Sequence, residues 1–221
     1  MYKLAIFDLD GTLVNSLGDL ADAVNAALAE RGYPTHSEDS YRYMVGNGAA
    51  RLCERALPEG HRSAEDIASL QRRFGEIYHG NCLVRTRPYE GIPELIKQLR
   101  EAGVRCAVAS NKPDSFSKEI AAALLGEGNF DLVMGKREGV PTKPDPEIVY
   151  DIMKALGADK SGTVFIGDSC VDVQTAHNAG LPCIGCLWGF RGEAELRENG
   201  CDMLAGKPED IYGLVVMHNA Q

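Results

Sequence analysis

Short apolar runs recur along the chain at Leu4 to Phe7, Val104 to Ala109, Leu132 to Met134, Thr163 to Ile166 and Pro182 to Cys186. Most are followed by Asp, Ser or Gly and then by helical spacing. The helical stretches place Ile92, Leu95, Ile96 and Leu99, then Phe116, Ile120 and Leu124, then Ile148, Ile152 and Leu156 at i, i+3, i+4 intervals. Gly103, Gly157 and Gly180 fall where such helices would stop in a left-handed residue. Strands buried on both faces and alternating with amphipathic helices predict an α/β fold, a doubly wound, Rossmann-like parallel sheet.

Between residues 16 and 84 the rhythm changes, because no strand-like apolar run occurs there. Leu17, Leu20, Val24, Ala27 and Leu28 predict one amphipathic helix. Ile67, Leu70, Phe74, Ile77 and Tyr78 predict another, opened by a Ser63-x-x-Asp66 capping pair. The pattern therefore divides the chain into an α/β core of residues 1–15 and 85–221 and an inserted helical cap of residues 16–84. The chain re-enters the core near Arg87 to Gly91, with Pro93 suited to a first helical turn.

Apolar residues at 44% and charged residues at 25% are ordinary for a globular protein with a full core. No apolar stretch approaches the length of a bilayer span, and Asp8 follows the start too soon for a signal peptide, so a cytoplasmic protein is expected. A net charge of −9 argues against nucleic acid and anionic membrane as partners. The seven scattered cysteines read as reduced thiols. Cys183 and Cys186 have C-x-x-C spacing, but no second pair or nearby His completes a zinc set, and the pair reads as part of a buried segment.

In open α/β sheets ligands bind beyond the carboxyl ends of the strands. The residues found there are Asp8-Leu9-Asp10-Gly11-Thr12, Ser110-Asn111-Lys112 and Gly167-Asp168-Ser169, with Asp172 four residues further on. A separate loop supplies Thr142-Lys143-Pro144-Asp145-Pro146. Asp8, Asp10 and Asp168 gathered at one point would repel one another without a cation, and an all-oxygen set suits Mg²⁺. Such an ion neutralises an anionic substrate, Lys143 adds a second positive charge and Ser110 a hydroxyl donor. A carboxylate nucleophile divides phosphate-ester hydrolysis into two displacements, with Asp10 the candidate acid and base. Gly11 permits a sharp turn and Thr12 a contact with a proton or phosphoryl oxygen.

FDLDGTLVNS, VASNK, the Lys143 of TKPDP and IGDSCVD, in that order, resemble the four motifs of the haloacid-dehalogenase-like phosphohydrolases over essentially the whole chain. The resemblance implies Asp8 as nucleophile and metal ligand, Asp10 as acid and base with its carbonyl on Mg²⁺, and Asp168 as the other protein ligand. It implies that Asp172 orients Lys143 or a metal-bound water. Ser110, Asn111 and backbone amides of the first loop, Gly11 and Thr12 included, would hold the phosphoryl group. VGNGAARLCERAL at 45–57 and LWGFRGEAEL at 187–196 further resemble phosphoglycolate phosphatases. That resemblance implies a small phosphorylated metabolite, 2-phosphoglycolate first, as substrate; monomer and homodimer both stay open. Gly46-Asn47-Gly48 would then present a helix start to the substrate carboxylate, Asn47 included.

Other readings stay open on sequence alone: another small phosphoester or pyrophosphate as substrate, a sugar phosphomutase on the same fold, or a phosphate-sensing binding protein. A dehalogenase needs neither a metal nor a second acid, so Asp10 and Asp168 speak against it. Of Arg51 and Arg55, at least one is expected to face water. Trp188 and Arg191 are expected near the pocket, with Trp188 packed, and the five histidines show no ligand spacing.

Overall fold

The structure is a computed structural model in which residues 1–217 are described. Its core is a six-stranded parallel sheet. The strands are β1 (Leu4–Phe7), β4 (Arg105–Pro113), β5 (Leu132–Lys136), β6 (Thr163–Gly167), β7 (Cys183–Cys186) and β8 (Met203–Ala205). They lie in the order β5-β4-β1-β6-β7-β8. Strand order runs one way from β1 through β4 to β5, then reverses to place β6 on the other side of β1. The tips of β1, β4 and β6 therefore flank the switch point, where an open sheet leaves a crevice.

Side-chain alternation along each strand builds two separate apolar layers. Ala5, Phe7, Cys106, Val108, Val164 and Ile166 face α4 (Ile92–Glu101), α5 (Asp114–Leu125) and α9 (Pro208–Val216). Leu4, Ile6, Ala107, Ala109 and Phe165 face α6 (Glu147–Leu156), α7 (Cys170–Ala179) and α8 (Glu193–Glu198). A sheet covered on both sides accounts for strands that read as continuous apolar runs. The expected stops are present, since Gly157 and Gly180 cap α6 and α7 in the left-handed region.

The helical insertion comprises α1 (Leu17–Ala29), a 3-10 turn at Glu38–Tyr43, α2 (Ala49–Ala56) and α3 (Ala64–His79). Ser63 and Asp66 form a reciprocal capping box at the start of α3. Leu20, Val24, Leu28, Leu52, Leu70 and Phe74 pack together in the same apolar cluster that includes the α4 and α5 side of the sheet.

Two short strands, β2 (Val14–Asn15) and β3 (Arg87–Pro88), pair antiparallel where the insertion leaves and rejoins the core. Beside them the buried Asp19 carboxylate accepts from the backbone N–H groups of Arg85 and Thr86 and from the Thr86 hydroxyl, at 2.7–3.0 Å. At two residues each, β2 and β3 are too short to show as sequence periodicity. Likewise β8, α8 and α9 lie outside the strands and helices expected from the pattern.

No helix among the described residues is long and apolar enough to cross a membrane. All seven cysteines are free thiols, and Cys183 and Cys186 lie buried in β7.

Candidate active site

Asp8 follows β1 directly, Asp168 follows β6, and Asp172 lies in the first turn of α7. All three are buried, and one carboxylate oxygen from each comes within 4.8 Å of the others. Lys143, only 3% exposed, lies between two of them: its Nζ is 2.8 Å from Asp8 Oδ1 and 2.8 Å from Asp172 Oδ1. Burial alone would lower the pKa of this ammonium, but Asp172 and Asp8 raise it above the usual lysine range.

The acids remain under-compensated. Burial, partly offset by Lys143 and reinforced by Asp172, raises Asp8 to about 7. Burial, then Asp172 and Asp8, raises Asp168 well above the carboxylate range. A buried cluster of hard oxygen donors whose charges resist ionisation fits a divalent cation, with Asp8 and Asp168 as the side chains best placed to hold it.

Asp172 is engaged on both oxygens. Oδ1 takes Lys143, while Oδ2 accepts from the backbone N–H groups of Asp168 and Ser169 and from the Ser169 hydroxyl. Its place is therefore that of an anchor for Lys143 and for the turn after β6. Asp168 is aimed by Phe190 N–H at 2.7 Å and by the Thr12 hydroxyl at 3.3 Å.

Two glycines make room for Asp168. A Cβ on Gly11, whose φ is +94°, would stand 2.5 Å from Asp168 Oδ2, and one on Gly189 would stand 2.2 Å from Asp168 Cβ. Neither position tolerates a side chain without displacing the acid. Trp188 packs as expected and donates its indole N–H to the Thr12 carbonyl at 3.0 Å, which ties the segment after β7 to the first loop.

The β4 backbone stays extended beyond the apolar run, as far as Pro113, with a register shift against β5 between Ala109 and Pro113. Ser110, Asn111 and Lys112 therefore project from the strand tip into the crevice. The Ser110 hydroxyl oxygen accepts from Lys112 N–H. The Asn111 amide joins three segments, donating to the Gly46 and Lys143 carbonyls and accepting from Lys143 N–H at 2.8 Å.

Lys112, placed with Ser110 and Asn111 by the sequence but given no role there, is 7% exposed. Its Nζ lies 3.0 Å from both oxygens of Asp10, which also accepts from the Ser16 hydroxyl. Burial opposes this charge, but Asp10 and Tyr78 raise the Lys112 pKa above the lysine range. An extended chain brings residues two apart to one side, so Lys112 shares the Ser110 side of the tip.

A pocket opens over these groups. Asp8, Asp10, Ser110, Asn111 and Lys112 form its polar end, while Leu20, Val45, Leu52, Phe74, Tyr78 and Phe116 close it with the backbone of Gly46 and Gly48. The Asn47 side chain turns away to accept from Arg55 Nη2 at 2.9 Å, and Arg55 also donates to the Tyr43 and Met44 carbonyls. Arg51 pairs with Glu54 at the surface. Arg191 reaches from the core to the Val45 carbonyl at 3.1 Å.

The sequence of residues 5–186 matches the family model described as haloacid dehalogenase-like hydrolase. A phosphoglycolate phosphatase of Pseudomonas syringae pv. tomato is 36% identical over 205 residues, covering 91% of this chain and 75% of that one. One from Aquifex aeolicus is 31% identical, covering 98% of each chain. A crystal structure from Lactobacillus delbrueckii subsp. bulgaricus, provisionally named a phosphoglycolate phosphatase, superposes with a TM-score of 0.93 at 29% identity over 98% of this chain and 99% of that one.

The chain belongs to the haloacid dehalogenase-like hydrolases. Within them it is a phosphoglycolate phosphatase-like member and hence a phosphoric monoester hydrolase.

Proposed function

We propose that the protein hydrolyses 2-phosphoglycolate through an aspartyl-phosphate on Asp8, with Mg²⁺ as the divalent ion. The observation that carries this reading is the pair of contacts from the buried Lys143 ammonium to Asp8 and Asp172 beside Asp168. Phosphoglycolate phosphatase is also the name borne by the relatives in Pseudomonas syringae and Aquifex aeolicus.

In the first displacement an Asp8 oxygen forms a bond to phosphorus while the bond to the ester oxygen breaks, and Asp10 gives that oxygen its proton. In the second, water attacks phosphorus, Asp10 takes its proton, and the bond from phosphorus to Asp8 breaks to release phosphate. Lys143 and Ser110 stabilise charge on the phosphoryl oxygens. A Mg²⁺ ion would be held by Asp8, Asp168 and the Asp10 carbonyl, and would supply charge neutralisation between an anionic nucleophile and an anionic ester.

We take residues 16–84 as a cap hinged at the β2–β3 pair, closing apolar walls over the site and limiting entry of water. The free thiols fit a reducing, cytoplasmic setting. A panel of phosphate monoesters assayed with Mg²⁺ and with a chelator tests the proposal. The expected result is metal-dependent phosphate release with the highest kcat/KM for 2-phosphoglycolate, and turnover insensitive to the chelator would contradict it.

A further inference from the structure

We propose that Lys112 and Tyr78 form a carboxylate subsite beside the phosphoryl-transfer centre, so that the substrate is a small phosphomonoester bearing a carboxylate one carbon from the ester oxygen. The inference rests on the phosphatase reading above and assigns side chains to the substrate's second charge.

Lys112 Nζ sits 4.7 Å from the centroid of the Tyr78 ring and 3.0 Å from both Asp10 oxygens. Both Lys112 and Tyr78 line the pocket that also contains Asp8. Among the described residues lining that pocket, Lys112 is the only cation. Tyr78 is 1% exposed; its hydroxyl interacts with the Lys112 ammonium, and the hydroxyl proton has no acceptor among the described residues. A buried hydroxyl whose proton has no acceptor in a pocket wall is a donor waiting for one, and a carboxylate accepts well.

Chain geometry supports the same place. Asp10 is the group that protonates the ester oxygen, and a carboxylate one methylene away from that oxygen lies within about 4 Å of it. A cation already touching Asp10 therefore stands where that second charge falls. An ammonium has three donors, so Lys112 can hold a substrate carboxylate without releasing Asp10. The other large side chains of the wall, Leu20, Val45, Leu52, Phe74 and Phe116, are apolar and give the hydroxyls of a polyhydroxylated sugar no side-chain partner. The Asn47 amide, held by Arg55, is not needed for this recognition.

The test compares kcat and KM with Mg²⁺ for 2-phosphoglycolate and for 2-hydroxyethyl phosphate, which replaces the carboxylate by a neutral hydroxymethyl group. The wild type should prefer 2-phosphoglycolate in kcat/KM by about 100-fold or more. Tyr78→Phe should cut that preference about tenfold, chiefly through KM, since it removes a donor to the carboxylate and keeps the ring in place. Lys112→Met should slow both substrates but reduce the preference further, and Lys112→Arg should restore part of it.

An equal loss on both substrates in Tyr78→Phe and Lys112→Met overturns the subsite, leaving Lys112 as a holder of Asp10 alone. Should Lys112→Met not fold, Tyr78→Phe decides by the same criterion. A wild type without preference overturns the carboxylate subsite and the phosphoglycolate assignment together while leaving phosphatase chemistry standing. Failure to hydrolyse either ester overturns the phosphatase reading itself.

Discussion

Lys143 Nζ is equidistant, at 2.8 Å, from Asp8 Oδ1 and Asp172 Oδ1, so one buried cation bridges the strand-tip acid and the helix that follows β6. Lys143→Met removes this bridge and should lower kcat by about 10²–10³-fold, the usual cost of deleting one preorganised donor to a developing oxyanion. It should also destabilise the metal-free fold by about 3 kcal/mol, because two buried carboxylates lose their partner. Steady-state assays and urea denaturation check the two effects separately.

The Asp8 pKa, raised by burial from 3.8 to about 7, carries a signed pH dependence. Between those values the folded state holds a proton that the unfolded state has lost, so this group's contribution is fully present below pH 3.8 and declines as pH rises to about 7. A cation that binds the ionised cluster reverses the loss. Added Mg²⁺ should therefore raise Tm more at pH 8 than at pH 5, and Asp168→Asn should remove most of that difference. Equal metal shifts at both pH values would count against the cluster as the binding site.

Asp19 ties α1 to the returning chain by accepting from two backbone N–H groups and a hydroxyl. Asp19→Ala leaves those buried donors unpaired and should cost about 2–4 kcal/mol of stability. Chemical denaturation provides the measurement, and a loss below 1 kcal/mol would deny the carboxylate an anchoring role.

Arg191 joins core to insertion. It donates to the Val45 carbonyl at 3.1 Å, its guanidinium carbon lies 5.1 Å from the Tyr43 ring centroid, and the adjacent Phe190 N–H binds Asp168. Arg191→Ala frees the loop that brings Gly46 and Gly48 to the pocket. KM should rise about tenfold with a smaller change in kcat, the signature of lost uniform binding.

The core could be read from sequence because strands buried on both faces and helices with one apolar stripe leave unmistakable periods. The residues just after those strands then name Asp8, Ser110 and Asp168 as neighbours. What lay beyond reach depends on distance along the chain or on short lengths. Lys112 and Asp10 are 102 positions apart, and the pairing depends on β4 running extended past Ala109 to Pro113. Tyr78 reads as one more apolar-face residue of α3, since helical spacing reports burial and not the contact of its hydroxyl with Lys112. Asn47 has the spacing of a ligand-facing loop, yet Arg55, eight residues on, is near enough to take its side chain.

The most direct measurement is acid-quenched digestion and mass spectrometry of the enzyme during turnover of 2-phosphoglycolate with Mg²⁺. A phosphoryl adduct on the peptide carrying Asp8, discharged in a chase without substrate and lost in Asp8→Asn together with activity, is the predicted result. An adduct on another residue, or an Asp8→Asn variant that turns over at the wild-type rate, would contradict it.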